Sequence, residues 1–267
     1  MITPADTQGR RWFAPVLRKT AILIILAATW EIYARLLNNE LALPSFIHTA
    51  QAFWNGIAHG ELLSRIGVSL RVLLMGYAIG VACAALLSAL AVSTRVGSDL
   101  LDLLTAMFNP LPAIALLPLA LIWFGLGTPS IVFVTVHAVL WPVALNTYGG
   151  FRGVSKTLRM VGQNYCLSPP RFVFQILVPA AFPSLLTGLK TGWAFAWRTL
   201  IAAELVFGVS SGSGGLGWYI YENKMLLYIP EVFAGLCTVI LIGLIVEVGI
   251  FGMVERLTVR RWGMTSD

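Results

Sequence analysis

Charge is scarce in this sequence of 267 residues: 11% are Asp, Glu, Lys or Arg, against 58% hydrophobic. A soluble domain carries about a quarter charged residues, so a water-soluble fold with a polar surface is excluded. Cysteine is scarce too. Cys83, Cys166 and Cys237 are far apart, odd in number and without metal-ligand spacing, which leaves neither a disulfide framework nor a zinc site. A G-x-x-x-x-G-K-[ST] loop is absent, so the chain has no sequence-level cradle for nucleotide phosphates. His48, His59 and His137 are scattered and join no Ser or acid in a cluster. No catalytic, cofactor-binding or metal-binding residue is therefore assigned. The net charge is +6, but the basic residues do not gather with aromatics into one patch, which argues against a nucleic-acid partner.

What the chain has in quantity is apolar length. A membrane crossing takes roughly 20 apolar residues, and six runs qualify: Thr20–Leu37, Ile66–Val92, Leu100–Phe124, Ser130–Gly150, Val178–Phe207 and Val232–Val254. The first could be a signal peptide, but Glu31 and Arg35 interrupt it and no A-x-A pattern follows, so it reads as an uncleaved span. Pro44 to Leu63 is too polar to cross and suits an interfacial helix. The third run carries Pro110, Pro112 and Pro118. Neighbouring helices can satisfy the carbonyls that proline frees, so a kinked span packed inside the bundle is expected. The fold class is all-α and polytopic, with about six transmembrane helices.

Orientation follows from the basic residues. With the N-terminus inside, the cytoplasmic segments hold twelve of the 18 Lys and Arg residues, among them Arg10, Arg11, Arg18, Lys19, Arg95, Arg152 and Arg261. Arg35, Arg65 and Lys224 fall outside, and both termini are expected in the cytoplasm. Residues 1–19 form a cytoplasmic segment and 20–267 the membrane domain, with a long cytoplasmic loop over 151–177. In that loop Ser155 can cap a short helix through Tyr165, and Pro169-Pro170 can end one helix and open another. It carries Arg152, Lys156, Arg159 and Arg171 and no acid. It is either an ordinary positive loop or a docking helix for a cytoplasmic partner.

Charges within spans point to function, because an ion in lipid costs several kcal/mol unless it is paired or hydrated. Glu31 and Arg35 suit a local i, i+4 pair. Arg71 and Lys190 lie near span ends and can snorkel, and Glu247 suits an ion pair between helices. Arg198 stands near the middle of the fifth span. Thr187, Thr191, Ala194, Arg198 and Ala202 share one small, polar stripe there, suited to a water-filled path, while Glu204 shares another face with Trp193 and Trp197. Thr187, Thr191, Arg198, Glu204 and Glu247 are thus the candidates for a path or gate. Gly208 to Gly217 is either a flexible external connection or a short loop re-entering toward an outer gate.

From Leu62 to Arg261 these residues resemble the permeases of ABC importers in the nitrate/sulfonate/taurine/bicarbonate branch. The resemblance rests on pieces in order: Ser69-Leu70-Arg71-Val72, Leu111-Pro112-Ala113-Ile114, Ile122-Trp123-Phe124-Gly125-Leu126-Gly127, Val178-Pro179-Ala180-Ala181-Phe182-Pro183, Ala202-Ala203-Glu204 and Gly214-Gly215-Leu216-Gly217. The family has a cytoplasmic helix with the consensus E-A-A, three residues, G, nine residues, I-x-L-P. Ile176-Leu177-Val178-Pro179 matches its end. Met160-Val161-Gly162 stand in place of Glu-Ala-Ala, and Cys166 in place of the glycine, where a positive φ would strain a cysteine.

The resemblance implies a type I ABC importer permease fold in the bacterial inner membrane. It also implies a second copy of the chain, two ABC ATPase subunits that carry the ATP and magnesium, and a periplasmic or lipid-anchored solute-binding protein. Lys156, Arg159, Met160, Gly162, Tyr165, Cys166 and Arg171 would form the ATPase-docking loop, and the solute would be a small anion or organic acid. The competing class is an ion-coupled secondary transporter using Glu204 or Glu247, but the paired broken helices of such carriers are not visible as a repeat.

Overall fold

A computed structural model describes residues 6–207 and 214–263, and every regular element among them is helical. Helix α1 (Asp6–Leu37) contains the first span, Leu17–Leu37, which stands almost uncovered by the rest of the chain. It ends where Asn38 turns to φ 46° and Asn39 accepts two backbone N–H groups. α2 (Phe46–Ala58) is the expected interfacial helix, N-capped by Ser45. Trp30 of α1 holds it by donating to the Pro44 carbonyl at 3.0 Å, and Glu31 by accepting from Ile47 as well as from Arg35.

The core is three long helices: α3 (Leu62–Ser93), α6 (Thr128–Gly153) and α9 (Val178–Phe207). α6 is the axis, packed between the other two. Lipid gives helices no hydrophobic reason to associate, so close backbone approach through small residues supplies the packing. On α3 a buried row of Gly76, Gly80, Ala84 and Ser88 faces α6. A Cβ on Gly76 would sit 2.7 Å from Thr135, and one on Gly80 2.7 Å from Val139. From the other side Gly188 and Gly192 of α9 press on Asn146 and Val143. Ser88 donates to the Ala144 carbonyl, and Tyr77 to that of Leu189.

The third span is broken rather than merely kinked. α4 (Arg95–Phe108) stops at Asn109, and after Pro110 and Pro112 the chain resumes as a 3-10 turn, Ala113–Leu116, running into α5 (Leu117–Phe124). The two arms meet at 87°. Two prolines two residues apart remove two N–H donors and bias the residues before them away from helix. Pro118 sits in the first turn of α5, where its missing N–H is harmless.

The pair nevertheless follows α6 from end to end. Ser98 hydrogen-bonds Tyr148 near one end, residues 109–114 lie beside His137 to Pro142, and Ser130 donates to the Ala120 carbonyl near the other. From Tyr148 to Ser130 α6 rises about 27 Å, close to the thickness of a hydrocarbon core. Taken as one broken span, the two arms bring the candidate crossings from five to six.

Beyond α6, α7 (Lys156–Asn164) and α8 (Pro169–Phe172) occupy the expected loop. α8 continues through a wide turn, Val173–Leu177, into α9. α10 (Leu216–Met225), which hydropathy does not announce, precedes α11 (Ile229–Leu244). Wide turns and α12 (Gly252–Glu255) then carry that last span to Arg260.

Candidate functional site

A cavity of about 340 Å³ opens at the break. Its walls come from three crossings: Asn109 to Ile114 of the broken span, His137, Ala138, Trp141 and Pro142 of α6, and Phe195, Arg198, Thr199 and Ala202 of α9. Arg198 thus lies where its mid-span position places it. Its side chain is exposed, its Nε donates to the Ala194 carbonyl at 3.0 Å, and its guanidinium lies 5.0 Å from the centre of the Phe195 ring. No ion pair joins it among the described residues. Phe108 stacks on Trp141, and His137 packs edge-on against both.

The remaining stripe residues are elsewhere. Thr187 and Thr191 line a separate cavity of about 300 Å³ with Lys190, Phe251 and Glu255, where α9 meets the last span. Glu247 pairs with Lys190, Nζ to Oε1 at 3.7 Å, which is the expected tie between helices. Lys190 therefore does more than snorkel.

Glu204 is buried, at 3% exposure, and faces neither cavity. Its carboxylate accepts from the Ser69 hydroxyl at 2.7 Å and from the Gly217 N–H at 2.9 Å, while the Ser69 oxygen accepts from the Leu216 N–H at 2.7 Å. An acceptor side chain thereby caps the N-terminus of α10, where free N–H groups need one. Any side chain on Gly215 would run into Glu204 and Ser69. One turn before Ser69, Arg65 donates to the Gly214 carbonyl at 3.0 Å and bridges Glu61 and Glu222. The start of α3 thus fastens the entry to α10 twice. Of the glycine-rich segment 208–217, residues 208–213 lie outside the described residues; 214–217 belong to this latch. Beside it Tyr219 is buried, and burial, then the carboxylates of Glu231 and Glu61, push its hydroxyl above the usual range, with Arg65 opposing.

The loop helix α7 forms as its sequence dictates. Ser155 caps it through the Leu158 N–H, and it ends in a Schellman turn: Leu167 donates to the Gly162 carbonyl and Cys166 to that of Gln163. Cys166 stands at φ 48°, the strained conformation expected of it. Gly162 is needed in a different way, since a Cβ there would strike the Phe172 ring.

Arg159 folds back on the bundle, donating to the Phe151 carbonyl at 2.7 Å and to that of Val154 at 3.3 Å. Lys156, Met160, Tyr165 and Arg171 are exposed, as are Leu158 and Val161, and Tyr165 reaches 76% exposure. Left-handed backbone costs a non-glycine residue about 1–2 kcal/mol, and glycine returns part of that through unfolded-state entropy. Cys166→Gly is expected to raise the melting temperature of the detergent-purified chain by about 1–3 °C, as a fluorescence melt would show.

The sequence assigned His137, Trp141 and Ser69 to no site, although Ser69 opens the piece Ser69-Leu70-Arg71-Val72. The spacing of His137 and Trp141, i and i+4 just before Pro142, was the available signal for the first two. Ser69 is 135 residues from Glu204, and nothing in the sequence paired the two.

Residues 76–258 match the family described as "Binding-protein-dependent transport system inner membrane component". The chain is 28% identical to the nitrate import permease protein NrtB of Synechocystis sp., over 87% of this chain and 86% of that one. It is 31% identical to the taurine transport system permease protein TauC of Escherichia coli, over 60% of this chain and 56% of that one.

Proposed function

Because the chain belongs to the family of binding-protein-dependent transport system inner membrane components, we propose that it forms the path by which an ATP-driven importer moves a small anion across the inner membrane. That it is a multi-pass transport component rather than an enzyme follows from the family itself. The solute class is taken from two lines: relatives named for nitrate and taurine, and an arginine that has no ion pair among the described residues, at a mid-span cavity whose described lining holds no acidic residue. The second is the observation that carries the reading.

Two copies would enclose the path, with the part of α9 that carries Arg198 facing it. The 151–177 loop would receive an ATPase subunit on each copy, through Tyr165 and the neighbouring apolar side chains. Arg159 would act by holding α7 against the end of α6 rather than by touching the partner. ATP and magnesium belong to that partner, and a solute-binding protein would deliver the solute at the Gly214 end. The family relation speaks against the ion-coupled alternative, and Glu204 and Glu247 both have partners within the chain.

With both termini and α7 inside, a single cysteine at Ser155 in a cysteine-free chain should resist a membrane-impermeant maleimide in intact cells and react once the membrane is opened. Rapid labelling of intact cells would overturn the orientation and, with it, docking of α7.

A further inference from the structure

We propose that the cavity enclosed by α2, the start of α3, α10 and the start of α11 is a binding site for a small organic amine, held by its ammonium groups. It lies at the Gly214 end of the bundle. It is separate from the Arg198 cavity and opposite to it in charge, and so goes beyond the transport path.

The first ground is charge. The cavity has a volume of about 490 Å³ and is lined by Glu61, Glu222 and Glu231. One guanidinium, that of Arg65, answers them, and it is spent on Glu61 and Glu222. Glu231, half-buried in the first turn of α11, has no ion pair among the described residues.

The second ground is independent of the acids. Tyr219 is 9% exposed and lines the same cavity. Its Oη reaches from α10 to the α2 wall, 3.7 Å from where a Cβ on Gly56 would sit. Among the described residues the tyrosine hydroxyls with a hydrogen-bond partner are those of Tyr77 and Tyr148; that of Tyr219 has none. The start of α11 accounts for an acid at 231, and Arg65 for the other two, but neither accounts for this hydroxyl. Burial and the nearby carboxylates of Glu231 and Glu61 hold it protonated, so its oxygen can accept from an N–H while its proton goes to a carboxylate. Asn223 spends its amide N–H on the Tyr219 carbonyl, which leaves its amide oxygen as a further acceptor in the wall.

The third ground separates an amine from a metal ion. No three of the described His, Cys, Asp and Glu residues converge closely enough to hold a metal. The carboxylates are spread around a wall that also carries the rings of Tyr219 and Tyr228. Aromatic faces beside carboxylates suit an alkylammonium, and the volume suits a small molecule. Acids on several sides favour a ligand with more than one ammonium group and repel the phosphate of a lipid headgroup.

The test is equilibrium binding of radiolabelled 1,4-diaminobutane to the full-length chain in phosphatidylcholine nanodiscs. Saturable binding is expected, displaced by butylamine at about tenfold higher concentration and neither by tetramethylammonium, which has no N–H, nor by calcium. Glu231→Gln should weaken binding about tenfold or more. Tyr219→Phe should weaken it about threefold to tenfold and leave the melting temperature within about 1 °C of the parent, because no group of the chain loses a partner. Glu40→Gln, which removes an acid at a different cavity, should bind like the parent.

Absence of saturable binding, unchanged binding by Glu231→Gln, equal weakening by Glu40→Gln, or equal displacement by calcium would overturn the site. A fall in melting temperature in Tyr219→Phe without a loss of binding would make the hydroxyl structural and do the same. Displacement of the probe when phosphatidylethanolamine is added to the discs would replace the free amine with a lipid headgroup and overturn the assignment of the ligand. ATP-driven uptake scores the permease reading separately.

Discussion

Replacing Lys156–Tyr165 with a Gly/Ser linker of equal length is expected to abolish ATP-driven uptake while leaving the membrane bundle folded. The bundle loses little, because α7 touches it at few places: Gly162 against Phe172 and Ile176, and Arg159 on the last carbonyls of α6. What the linker removes is the apolar and aromatic surface of Leu158, Met160, Val161 and Tyr165, which is exposed among the described residues. Aromatic anchors of that kind dominate interface energies, at about 2 kcal/mol or more each, so losing the set should release the ATPase. Copurification of the tagged partner and uptake into proteoliposomes would measure this. Normal assembly and coupled uptake with the linker in place would reject docking at α7.

Glu204→Leu is expected to be the most destabilising single substitution among the path and gate candidates. It leaves the Ser69 hydroxyl and the Gly217 N–H without their acceptor in a buried site. Each orphaned group costs about 1–3 kcal/mol. Glu204→Gln keeps an acceptor oxygen and the shape, so about half of the loss should be recovered. Melting curves in detergent, with proteolysis of the segment before Gly214, would register the release of α10. A Glu204→Leu chain that melts like the parent would remove the latch from the account. A Glu204→Gln chain that is stable but inactive would return Glu204 to the path.

Much of this was legible in the sequence for identifiable reasons. Crossings announce themselves because hydrocarbon thickness fixes their length, and α7 because Ser155, Gly162 and the proline pair are local signals acting on adjacent backbone. The strain at Cys166 was readable from its place in the family pattern alone.

The remaining features depend on partners far away in the chain. Pro110 and Pro112 announce a disturbance, but whether it is a kink or an 87° break depends on what α6 and α9 offer beside it. Glu204 was read as a path or gate candidate because its partners, Ser69 and the backbone of Gly217, meet it only in the folded bundle. Arg159 was placed in the docking loop by the resemblance, and its bonds to the carbonyls at the end of α6 show only in the fold. The row Gly76, Gly80, Ala84, Ser88 was open to inspection, at the four-residue spacing that brings helices together, and it is what places α3 on α6.

The central claim is that this chain moves solute only when driven by a separate ATPase. Its most direct test is uptake of a radiolabelled organic anion into proteoliposomes holding this chain with its ATPase and its loaded solute-binding protein. Accumulation is predicted to require ATP and both partners and to persist when ionophores collapse every ion gradient. Accumulation by the chain alone, driven by a proton or sodium gradient without ATP, would contradict it.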